Sequence, residues 1–167
     1  MAEIGKCGSP AVLSVLMLGS NRINGSPAGE PIAAGDACHI DAAGAVHRSV
    51  GSAAGAAAEV RGFAAADAGR GEATTLVFDV AMRYGRDLPP GASLYLSATV
   101  PGGLADAPSA GGLQQVAYVV DHDVIHLLQS YGGPSPSEHP DLAHTARGSA
   151  AAFVPSETAA GGPTWQR

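Results

Sequence analysis

Bulky side chains are scarce in this sequence. Aromatic residues make up 5% of its 167 positions, whereas glycine alone occupies 23. A hydrophobic share of 46% is enough in principle to bury one core, but alanine inflates that figure. The compact part is therefore expected to be smaller than the whole chain, with the excess in flanking arms. A basic stripe is lacking as well. Charged residues make up only 14% and leave a formal net charge of -6, and phosphate binding needs clustered Lys and Arg, so no nucleic acid is expected as a partner.

Long apolar runs are missing too. None approaches the roughly 20 residues that a spanning helix needs, so no membrane partner is expected. Cysteine is confined to Cys7 and Cys38, too few for a disulfide-stapled module and without the paired spacing of a zinc site. A single disulfide between the two stays open. The apolar run at residues 11–18, with Lys6 ahead of it, is like the core of a signal peptide, yet no A-x-A-like cleavage site follows. Manufacture in a reducing cytoplasm is the expectation.

Catalytic signatures are equally wanting. There is no G-x-S-x-G elbow, Walker-type loop or dinucleotide fingerprint. His122 and His126 stand four apart beside Asp121 and Asp123, but the context is a hairpin, where that spacing does not converge two imidazoles on one ion. Cys38 and His39 are neighbours on a strand and point to opposite faces, so they cannot act as nucleophile and base. Asp36 and Asp41 bracket that strand as turn or capping residues. No catalytic residue, metal ligand or cofactor is assigned, and the chain is not expected to be an enzyme. A small hydrolase or metalloprotein built around His39, His122 and His126 is an alternative that elemental analysis for bound metal would separate.

What is present is punctuation and alternation. Residues 1–35 read as an N-terminal arm, with Gly19-Ser20-Asn21 and Asn24-Gly25-Ser26-Pro27 as turns. Residues 36–131 read as short strands divided by Gly, Pro and Asp turns, and residues 132–167 as an extended tail rich in Pro, Gly and Ala. Period-two alternation over residues 74–84 predicts one half-buried strand with Leu76, Phe78, Val80, Met82 and Tyr84 on one face. Leu94 and Leu96 repeat the pattern after Pro89-Pro90-Gly91. Asp41-Ala42-Ala43-Gly44 and Asp121-His122-Asp123 each separate two strand-like runs and predict hairpins. Residues 52–58 are expected to form one or two helical turns without a large apolar anchor.

Four strings then carry a resemblance. Gly35-Asp36-Ala37-Cys38-His39-Ile40-Asp41-Ala42-Ala43-Gly44-Ala45-Val46 resembles the opening of small phage head proteins, and Arg61-Gly62-Phe63-Ala64 is similar to a later strand of theirs. Leu88-Pro89-Pro90-Gly91-Ala92-Ser93-Leu94-Tyr95-Leu96-Ser97-Ala98-Thr99-Val100-Pro101-Gly102-Gly103-Leu104 resembles a hairpin of capsid decoration, head-fibre and tail-fibre domains, and Ala117-Tyr118-Val119-Val120 follows as their apolar strand does. The family is that of tailed-bacteriophage capsid decoration, or cement, proteins.

The resemblance implies an all-β fold, a small β-sandwich or barrel-like domain with no catalytic residues to transfer. It implies a homotrimer seated on the major capsid protein at the capsid exterior of the virion. The apolar residues Val12, Leu13, Val15 and Leu16 in the arm, and Phe153, Val154 and Trp165 in the tail, are the candidate contacts to other protomers and to the capsid. A fibre-type host- or glycan-binding domain is the alternative.

Overall fold

The computed structural model describes residues 1–13 and 21–128. They form two antiparallel sheets around a shared core, an all-β sandwich. The chain supplies β1 (Glu3–Ile4), β2 (Ala11–Val12), β3 (Arg22–Pro27), β4 (Ala37–Ile40), β5 (Val46–Arg48), β6 (Gly62–Ala64), β7 (Ala73–Val77), β8 (Ala81–Arg83), β9 (Ser93–Leu96), β10 (Leu104–Ala105), β11 (Gln115–Asp121) and β12 (Val124–Leu127). One sheet has the order β1-β10-β9-β11-β12-β8-β2, the other β3-β7-β6-β4-β5. A single 3-10 turn at Gly55–Ala58 buries nothing, as its lack of large apolar residues dictates.

Local chemistry explains the hairpins. The Asp41 carboxylate accepts the backbone N–H groups of Ala43 at 2.9 Å and Ala45 at 2.8 Å, which folds the β4–β5 connection back on itself. The Asp121 carboxylate accepts the His122 N–H at 2.7 Å at the start of the β11–β12 turn, where the strand register also shifts.

Alternation then sorts side chains into two clusters. Ala37, Phe63 and Val77 face the seven-stranded sheet and meet Met82, Leu94, Leu96, Leu104, Val119, Ile125 and Leu127. Their strand neighbours Cys38, Ala64 and Leu76 point the other way, against Ala28, Ile32, Val46 and Ala68. That second cluster exists because the loop after β3 returns over the sheet. Ala28 bridges to Val46, and Ile32 to Ala68. Cys38 is fully buried there, and both Cys7 and Cys38 are free thiols.

The expected single strand over residues 74–84 is two strands in different sheets. β7 belongs to the five-stranded sheet and β8 to the seven-stranded one. Between them Asp79 sits at φ 52°, a left-handed conformation that Asp tolerates better than most residues and that turns the chain from one sheet to the other. The bend breaks the expected parity at one position, Phe78. Phe78 lies at the corner and is only half-buried, while Val77 is fully buried on the inter-sheet side. Asn24 to Pro27, expected as a turn, lie within β3, where a bulge around Gly25 shifts the register against β7.

The N-terminal segment is woven into the large sheet. β1 pairs with β10 at one edge, and β2 pairs with β8 at the opposite edge. Between the two edges the Cys7 N–H donates to the Tyr84 carbonyl at 2.6 Å. Both edges of the sheet are thus formed by two-residue strands of one strap of about ten residues, and edge strands this short offer little to pair with another chain.

Candidate functional site

Residues 35–46, 61–64 and 88–104 meet in one place. The Ala37 N–H donates to the Gly102 carbonyl at 2.9 Å, the Gly102 N–H to the Ser49 carbonyl at 2.7 Å, and the Ala64 N–H to the Asp36 carbonyl at 2.9 Å. Gly102 has φ +75° and lies so close to Asp36 that a Cβ there would come within 2.7 Å of its carboxyl carbon. Only glycine fits that junction.

Beside the junction opens a cleft of about 560 Å³. Its walls come from the strap (Glu3, Ile4, Lys6), from Pro31 and Ile32, and from Val100, Pro101 and Gly103, with Asp36, Arg48 and Tyr84 contributing polar groups. The charges are largely spoken for. Lys6 forms an ion pair with the buried Asp36, whose other carboxylate oxygen accepts the Ala33 N–H at 2.8 Å. Arg48 binds Glu30 through its guanidinium and its backbone N–H, both at 2.9 Å. That hydrogen bond, more than the charge, holds the Glu30 carboxyl below its ordinary value and raises Arg48.

Glu3 accepts hydrogen bonds from the Ser97 hydroxyl, at 2.7 Å, and from the Thr99 hydroxyl. Tyr84 is fully buried, and burial pushes its phenol above the usual range, with the Leu104 amide opposing. The cleft therefore offers apolar walls and a neutralised rim, a surface suited to binding.

The histidines considered for metal chemistry are dispersed. His122 sits in the β11–β12 turn with Nδ1 3.2 Å from the Leu88 carbonyl. His126 lies on the outer face of the seven-stranded sheet, with Nε2 3.1 Å from Asp79 and its ring 5.2 Å from Tyr118. His39 belongs to the other sheet, and its cross-strand partner is His47, with ring centroids 5.7 Å apart. Among the described residues no group of three or more His, Cys, Asp or Glu side chains is arranged to hold a metal ion.

Cys38 does not join His39 in a dyad. Burial pushes its thiol up to about 12, so it remains a protonated core residue. The His39–His47 pair escaped the sequence reading, although the Asp41–Gly44 turn carries its signal: a hairpin folded there sets residues 39 and 47 opposite each other.

Of the candidate contact residues, Val12 is half-buried on β2 and packs against the main core, and Leu13 is 38% exposed beside it. Val15, Leu16, Phe153, Val154 and Trp165 lie outside the described residues, as does the tail at 132–167. Tyr118 and Val120 add exposed apolar surface on β11. No protein-family model matches the chain, and no match is found among curated proteins.

Proposed function

We propose that this chain is a non-enzymatic structural protein of a tailed-phage virion, a decoration subunit that binds the outer surface of the assembled capsid through the major capsid protein. The observation that carries the reading is the junction: the strings from 35–46, 61–64 and 88–104, which resemble head proteins in sequence, are joined by direct backbone hydrogen bonds at one corner of the sandwich. A sandwich whose larger sheet ends in two-residue edge strands from its own strap is also a suitable unit to sit on a lattice without polymerising. A ligand that binds the assembled shell and not the free subunit stabilises the shell by mass action.

The homotrimer rests on the resemblance, because one chain already encloses two apolar clusters. Native mass spectrometry tests it directly: a trimer supports the assembly, and a monomer at micromolar concentration removes it. The tail, with Phe153, Val154 and Trp165, is assigned to contacts with neighbouring protein. Truncation after Tyr131 should leave the sandwich folded and weaken attachment to shells; unchanged attachment overturns that role.

The fibre-type reading, a host- or glycan-binding domain, draws on the cleft beside Lys6, Asp36 and Arg48. A glycan array separates the two. Saturable binding of one glycan class that is lost in Arg48→Ala and Val100→Asp favours the fibre reading.

A further inference from the structure

We propose that the cross-strand pair His39 and His47 is a surface clamp for a transition-metal dication of the zinc, nickel and copper class. The two residues are register partners on β4 and β5, and their rings lie 5.7 Å apart with planes inclined by 25°. Two imidazole nitrogens that share one ion at about 2.0–2.1 Å each stand roughly 3–4 Å apart, a separation compatible with ring centroids 5.7 Å apart. Water fills the remaining positions of the ion.

Proton bookkeeping at His39 favours a ligand. The Ser49 hydroxyl has one proton, and it goes to the Glu59 carbonyl. The same oxygen lies 3.4 Å from His39 Nδ1, so it accepts there and places the ring proton on Nδ1. His39 Nε2 is left with its lone pair, the form in which imidazole binds metals.

His47 is positioned by its surroundings. Its ring lies against Gly29 so closely that a Cβ at that position would come within 2.2 Å, so the backbone leaves this space only to glycine. Its Nε2 is 3.2 Å from Asp41 Oδ2, and its Nδ1 is 4.0 Å from Glu30 Oε1. Asp41 is itself fixed by the Ala43 and Ala45 N–H groups. A metal bound at Nε2 has the Asp41 carboxylate beside it to offset its charge, and the single ring proton then sits on Nδ1, which faces Glu30. Protons compete with the metal for the ring nitrogens, so binding weakens as pH falls.

The experiment uses the full chain. Calorimetric titration with Zn2+ at pH 7.5 should show one equivalent bound. His39→Gln and His47→Gln should each lower the affinity at least tenfold, while His122→Gln and His126→Gln leave it unchanged. Because a substitution could disturb the hairpin, Ni2+ is also added to the unaltered protein, where paramagnetic broadening should fall first on the imidazole resonances of His39 and His47. No binding at millimolar Zn2+ overturns the proposal. So does binding that survives both substitutions, or broadening centred on other histidines such as His139 and His144.

Discussion

Asp79 shows how much a single backbone angle decides in this chain. At φ 52° it carries the chain from one sheet to the other, and its side chain meets His126 across the corner. A β-branched residue there must hold a conformation that costs roughly 1–2 kcal/mol for ordinary L-residues, and more when branched. Asp79→Val should therefore lower stability by at least about that amount, and Asp79→Gly should lower it less. Urea unfolding curves of the two variants check the order. A second contrast concerns the core. Phe63 is fully buried between the sheets, so Phe63→Ala should cost about 3–5 kcal/mol. Phe78, half-buried at the corner, should cost clearly less in the same assay.

His39 adds a pH dependence whose sign is fixed. Its folded value lies below the ordinary 6.5, so the unfolded chain takes up its proton first as pH falls. The contribution is fully present above about 6.5 and is lost as pH drops through the lower, folded value. Glu30 acts in the same direction at more acid pH, because Arg48 holds it below 4.5. Stability measured from pH 7.5 to 5 should fall, and His39→Gln should flatten that slope. An unchanged slope in the variant would assign the effect to another group.

At the scale of elements, the strap is the feature on which most depends. Strands β1 and β2 are two residues each, yet they occupy both edges of a seven-stranded sheet. Deletion of residues 1–12 should expose β8 and β10 as unpaired edges and produce self-association, visible as higher-mass species in light scattering. A deletion variant that remains monodisperse with the full-length protein's association state would show that the edges need no cover.

These elements also show what sequence can carry. The Asp41–Gly44 and Asp121–Asp123 hairpins were readable because turn chemistry is local, and Leu94 and Leu96 were placed inward because alternation is local too. The break at Asp79 was not readable. Leu76, Val80, Met82 and Tyr84 are all buried, as period two requires, but Leu76 belongs to one apolar cluster and the others to the second. Alternation reports burial without saying against what. Two-residue strands such as β1 and β2 are too short for any periodicity, and their pairing is set by partners about 70 to 100 positions away. The cleft shares this limit, since it joins the strap to Pro31, Arg48 and Val100 across the chain.

For the whole molecule the proposal is that the sandwich attaches to an assembled shell as a decorating subunit. The most direct test is cosedimentation of the purified full-length protein with expanded capsid shells that lack decoration, run beside the same major capsid protein kept unassembled. Saturable binding to the shells, with little or none to the free subunits, and a rise in the temperature at which the shells come apart, is the predicted result. Equal binding to both forms, or protein left in the supernatant at saturating shell concentration, would contradict it.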